Sequence, residues 1–178
     1  PGGDGAGVGR ATGPGAERGG AGGAGTARVE GGVGFVRAHR GARTGDAVIS
    51  GAGSWSGEIV IDGVRARLPV RPVRGQLLTL GWTGPSVRGV TWSSRCYLVP
   101  WEDGSLLVGA TVEEAGFDER TTVAGVRELL EAVSEIVPRA WTVGLLGARA
   151  GLRPATSDDL PVIGHSHARL NLRYAAGH

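Results

Sequence analysis

The residue in this chain best suited to chemistry is an arginine at the end of an apolar strand. In GARAGLRPATSDDLPVIG, Gly147 to Gly164, Arg153 follows Ala150, Gly151 and Leu152 and precedes Pro154. Where the chain leaves the sheet, a guanidinium can face a cavity, and its fixed fork of donors can grip a carboxylate through two parallel hydrogen bonds. It can equally pair at the surface with Asp158 or Asp159, and the residues alone leave both readings open. A second candidate is ISGAGSWSG, Ile49 to Gly57. Gly51 and Gly53 carry no Cβ, so the backbone amides around Ala52 can approach a ligand closely, with Trp55 either part of that turn or simply packing.

Other patterns carry less. Gly5, Gly7 and Gly9 have a nucleotide-binding look, but no strand precedes them and no apolar helix follows, so the spacing has no mechanism. His165 and His167 lack the third ligand that a metal site needs. Cys96 is the one cysteine; it excludes an intrachain disulfide framework, fits a reducing cytosol, and reads as a small buried hydrophobe.

The elements that position these residues follow from patterning. Residues 1–30 are Gly and Ala with scattered charges and no aromatic, too little to offset ordering entropy, and are expected to be disordered. Val33, Phe35 and Val36 suggest a strand, and Ala47 to Ser50 another that runs into the glycine turn. Pro69 and Pro72 imply an edge or crossover path. Arg74 to Trp82 and Val90 to Trp101 then read as strands, and Asp103-Gly104 as a hairpin whose return strand, Ser105 to Val112, pairs with Tyr97 to Pro100. Thr121 and Thr122 can cap a helix with Val123, Val126, Leu130, Val133 and Val137 inward and Glu128, Glu131 and Glu135 in solvent, ended by Pro138. Trp141 to Arg149 and Leu170 to Ala176 are the last strands.

Composition excludes several classes. All 19 basic residues are arginine, Lys and Met are absent, and Asn and Gln occur once each, so the bias resembles GC-rich coding more than selection for a basic surface. A net charge of +2 with interleaved signs argues against nucleic acid as a partner. No apolar run approaches the roughly 20 residues of a membrane span, and no signal peptide is recognisable; the expectation is a cytoplasmic protein with no membrane partner. With 34 glycines and few aromatics, the core must come mainly from Val, Leu and Ile. The start on Pro1 suggests part of a longer reading frame.

Together with the two segments above, LPVRPVRGQLLTL (Leu68 to Leu80), YLVPWEDGSLLVGATVEEAGFDER (Tyr97 to Arg120) and the terminal YAAGH follow an order and spacing that single motifs would not reach by chance. Over residues 47–178 the chain resembles the C-terminal half of the D-amino acid oxidase superfamily of FAD-dependent enzymes, and within it the bacterial glycine oxidases of thiamine biosynthesis. The resemblance implies an α+β fold, with an antiparallel substrate-domain sheet and one long helix over residues 63–150. Residues 31–62 and 151–178 would form part of a Rossmann-like FAD domain.

It also implies roles. Arg153 would clamp the substrate carboxylate and Tyr97 would be the second contact, although a strand tyrosine can also be a core residue whose hydroxyl bonds the backbone. Gly51, Ala52, Gly53 and Trp55 would close the flavin domain against the dinucleotide. Gly177 and His178 resemble the start of a Gly-His-x-Arg-Asn-Gly segment that abuts the flavin ring. No side chain is needed as acid or base: the amine's lone pair drives the Cα hydride to FAD, water hydrolyses the imine, and oxygen as acceptor yields hydrogen peroxide. Glycine, small D-amino acids or sarcosine would be substrates. FAD would be noncovalent, since the region of Arg153 lacks the cysteine to which sarcosine oxidases attach it. Arg71 and Arg74 read as structural, with lining of the active-site approach as the alternative.

The chain departs from the family in lacking the dinucleotide fingerprint, so the 178 residues alone are expected neither to bind FAD tightly nor to turn over. The alternatives are a D-amino acid dehydrogenase or other amine-oxidising flavoprotein, and a non-catalytic remnant. A homo-oligomer is left open.

Overall fold

The computed structural model describes residues 26–30, 33–38, 41–45, 47–61, 64–84, 87–167, 169 and 171–177. In chain order the strands are β1 (Thr26–Glu30), β2 (Val33–Ala38), β3 (Gly41–Gly45), β4 (Val48–Ser50), β5 (Val60–Ile61), β6 (Val64–Arg65), β7 (Arg71–Gly81), β8 (Thr91–Trp92), β9 (Tyr97–Pro100) and β10 (Ser105–Gly109). Helix α1 (Val123–Ile136) follows, then β11 (Gly144–Ala155), β12 (Val162–His165) and β13 (Leu172–Ala176). The fold class is α+β, with mostly antiparallel sheets and one long helix.

The chain divides into two compact units. One holds the described residues up to Pro72 and from Arg153 onward, the other the described residues of Val73–Leu152. The first contains a five-stranded sheet in the order β3-β2-β1-β5-β6 and a three-stranded sheet β12-β13-β4. Val48, Ile61 and Leu172 form its buried core, flanked by Ile59, Ala66 and Tyr174. Thr26–Glu30, expected to be disordered, is instead a strand; it pairs antiparallel with β2 and parallel with β5, so ladder hydrogen bonds supply what its composition lacks. Residues 1–25 lie outside the described residues.

The second unit is built on the sheet β11-β7-β10-β9-β8, with α1 on one face. Register explains the division of faces. Leu78, Val108 and Leu98 are directly opposite one another on β7, β10 and β9, as are Leu80 and Leu106, and all five are buried against Leu129, Ala132 and Val133 of the helix. Alternation sends the neighbouring rows to the other face. Cys96 is buried in the same core.

Three expectations shift. Val90 to Trp101 is not one strand: Ser93 turns it into β8 and β9, its Oγ accepting from the amides of Arg95 (3.2 Å) and Cys96 (3.0 Å). The helix begins at Thr122 as read, with its Oγ1 accepting from the Gly125 amide at 3.1 Å, but the buried stripe is Gly125, Leu129, Ala132 and Val133. Val123, at the first helical position, points outward and is 88% exposed. Glu128 and Glu135 are exposed as expected; Glu131 is half-buried beside Arg127 and Arg95. The strand expected from Trp141 starts at Gly144, because Pro138–Thr142 forms a 3-10 turn first. Among the described residues no helix is long and apolar enough to cross a membrane.

Candidate functional site

The glycine turn and the C-terminal strand end meet at one sheet edge. β4 and β13 run parallel, with Val48, Ile49 and Ser50 opposite Leu172, Arg173 and Tyr174. Both therefore leave the sheet at their carboxyl ends, the edge at which open α/β sheets bind ligands. Gly51, Ala52 and Gly53 follow β4 and pass into a 3-10 turn, Gly53–Glu58. A Cβ on Gly51 would stand 3.6 Å from the Ala175 carbonyl, so the turn lies against β13. Gly53 has φ +56 and open space where a Cβ would be. Ala52 is buried, and its carbonyl accepts from the Trp55 amide at 3.1 Å. Gly177 follows β13 with φ +78, and a Cβ there would strike Thr156 Cγ2 at 2.7 Å.

Thr156 ties this edge to the arginine segment. It lies three residues beyond Arg153, and its Oγ1 donates to the Leu160 carbonyl at 2.9 Å. Arg153 itself is exposed near the end of β11, in the same unit as the glycine turn. His178 lies outside the described residues.

Tyr97 belongs to the other unit. It opens β9 on the face away from α1, half-buried, and its ring is tilted 41° against Trp92 with centroids 5.0 Å apart. Among the described residues its hydroxyl has no hydrogen-bond partner, unlike that of a core tyrosine.

On the helix-covered face lies a polar cluster that pattern reading missed. Arg74 is 7% exposed; its Nη2 donates to Glu113 Oε2 at 2.6 Å, and its Nη1 lies 3.1 Å from Asp118 Oδ2. Gln76, fully buried, donates through Nε2 to Glu113 Oε1 (2.7 Å) and Thr122 Oγ1 (2.9 Å), while its Oε1 accepts from the Thr122 amide at 2.8 Å. The Thr111 hydroxyl also donates to Glu113. A Cβ on Gly125 would lie 2.2 Å from Gln76 Nε2, so glycine is required where the helix meets this amide. Arg74 is thus structural. The signal was present in the register: Arg74 and Gln76 share the parity of buried Leu78 and Leu80, so both needed partners.

Burial pushes the Glu113 carboxyl up, but hydrogen bonds from Thr111, Arg74 and Gln76, with the charge of Arg74, outweigh it and hold the group below its ordinary range. A carboxylate lowered in the folded state adds stability above its unfolded value, about 4.3 for Glu, and loses it as pH falls through the folded value. The stability gap between the native protein and Glu113→Gln, followed by thermal denaturation, is expected to be complete at neutral pH and to close only below about pH 4.3. A gap independent of pH would mean that the charge of Glu113 plays no part.

Residues 19–178 match the family described as FAD dependent oxidoreductase. The chain belongs to this family. It is 33% identical over 129 residues to the glycine oxidase of Pseudomonas aeruginosa, covering 72% of this chain and 35% of that protein. It is also 33% identical over 131 residues to hydrogen cyanide synthase subunit HcnC of Pseudomonas protegens, covering 74% of this chain and 31% of that one. Its structure superposes on the crystal structure of glycine oxidase from Geobacillus kaustophilus with a TM-score of 0.76 and 29% identity, covering 86% of this chain and 41% of that chain. The chain thus spans about a third of the length of these two relatives.

The cofactor of this family suits the residues at the β4–β13 edge. Ser50 Oγ and Ser54 Oγ are buried there without a hydrogen-bond partner among the described residues. Buried hydroxyls are nearly always bonded, so two orphans flanking a glycine turn fit a polar ligand. Among the described residues no three His, Cys, Asp or Glu side chains gather as metal ligands.

Proposed function

We propose that this chain carries the substrate-binding sheet and part of the FAD-binding region of a cytoplasmic amino acid oxidase, glycine oxidase-like, that converts glycine, sarcosine or small D-amino acids to the oxo acid with release of hydrogen peroxide. The observation that carries the reading is the Tyr97 hydroxyl on the sheet face opposite the helix, which has no hydrogen-bond partner among the described residues. A half-buried phenol of this kind can donate to a substrate. Residues 63–150 act as the substrate domain in this reading, and residues 31–62 and 151–178 as part of the FAD domain.

In this reading Arg153 is a bidentate carboxylate contact and Tyr97 a substrate-contacting hydroxyl, each assigned by its place in a family-like segment. Gly51, Ala52, Gly53 and Trp55 hold FAD at the β4–β13 edge, with Gly177 beside it; His178 is a cofactor contact by family likeness alone. When bound there, FAD would supply the hydride acceptor and the route for electrons to oxygen. No side chain is required as a general base, because the neutral amine supplies the driving lone pair.

The test uses the full-length protein, purified with FAD and given glycine, sarcosine and D-alanine in air. Peroxide formed in step with substrate loss is the expected result. Reduction of an artificial dye without peroxide would move the assignment to a dehydrogenase, and neither signal from a protein with bound FAD would leave a non-catalytic remnant.

A further inference from the structure

One row of residues crosses the open face of the substrate sheet: Leu77 on β7, Gly109 on β10, Tyr97 on β9 and Trp92 on β8 are directly opposite one another in turn. Within it, a Cβ built on Gly109 would stand 2.4 Å from Tyr97 Cζ, 2.5 Å from the Tyr97 hydroxyl oxygen and 2.5 Å from Leu77 Cδ2. Ordinary carbon contacts are about 3.5–4.0 Å. The phenol tip therefore occupies the space that any other residue at 109 would fill. The φ of Gly109 is not in the left-handed region, unlike that of Gly53, Gly104, Gly116 and Gly177, so it is close approach that favours glycine at this position.

From this geometry we propose that Gly109 is a positioning residue for the substrate contact of Tyr97, an inference that rests on the role given to Tyr97 above. The ring lies across the backbone of β10 with Trp92 on its other flank, and this sets where the hydroxyl stands. The strand cannot easily yield. Two residues on, Thr111 is pinned to β7, with the Gln76 amide donating to Thr111 Oγ1 at 2.9 Å and the Thr111 amide donating to the Gln76 carbonyl at 3.4 Å. A methyl group at 109 must move the phenol by about 1 Å, and misplacement on that scale can cost about a hundredfold.

Glycine kinetics and FAD content of the full-length protein test this with Gly109→Ala, Tyr97→Phe and the double variant. Gly109→Ala is expected to raise KM about 10- to 100-fold with FAD content unchanged, and to add less than about twofold in the Tyr97→Phe background, where there is no hydroxyl to misplace. Equal factors in both backgrounds would overturn the positioning role. A silent Tyr97→Phe would instead remove the role of Tyr97 itself, and the inference with it. Should Gly109→Ala not fold, Gly109→Ala/Tyr97→Ala decides: recovery of a folded protein supports the steric coupling, and failure of that variant too would show that Gly109 serves folding independently of Tyr97.

Discussion

Arg153→Ala in the full-length protein is expected to lower kcat/KM for glycine about 10²- to 10³-fold while leaving FAD content unchanged. The magnitude follows from what the proposed clamp would lose. Removing one partner of a hydrogen-bonded charge pair costs about 3–4 kcal/mol within a wider range, and each 1.36 kcal/mol is tenfold in rate. Glycine makes the loss hard to offset, because a substrate without a side chain offers only its carboxylate and amine as handles. Arg153→Lys keeps the charge but not the planar fork, so an intermediate loss is expected. The exposure of Arg153 at the end of β11 predicts a thermal stability within about 0.5 kcal/mol of the native value, which separates binding from folding. Unchanged kinetics would return the side chain to the surface pairing with Asp158 or Asp159 that the residues alone allow.

Much of the local architecture was legible. Asp103-Gly104 turns as its residue types require: Gly104 has φ +81, and Asp103 Oδ1 accepts from the Ser105 amide at 2.8 Å. Thr122 caps α1 for the same kind of local reason. What escaped were features set by distant partners. Gln76 sits in an apolar run, and its partners Glu113 and Thr122 lie 37 and 46 residues away, so only the register of the folded sheet brings them together. Gly109 carries no local signal in LLVGAT, because nothing nearby in the sequence reveals which aromatic lies across it. The helix stripe was misplaced by the pull of Val123, which the cap places outward. Arg153 and Tyr97 are assigned by family likeness alone, and they belong to different units.

The largest effect expected on stability is at Arg74. Its side chain is 8% exposed, and it is shared between Glu113 and Asp118, whose side chains are 27% and 30% exposed. Truncation to alanine leaves two partly buried carboxylates without their shared cation. Breaking a fully buried pair costs about 3–5 kcal/mol. Here the cost should be lower, about 2–4 kcal/mol, since Glu113 keeps the bonds from Gln76 and Thr111, and Asp118 keeps those from Arg120. Arg74→Ala is therefore expected to lower the melting temperature by roughly 5–10 °C. The double variant Arg74→Ala/Glu113→Gln is decisive, because most of the penalty is the uncompensated charge. In the Glu113→Gln background the Arg74→Ala step should cost less by about 1–3 kcal/mol. A penalty below about 1 kcal/mol in the native background would mean that water reaches these carboxylates freely, and that Arg74 and Glu113 behave as a surface ion pair.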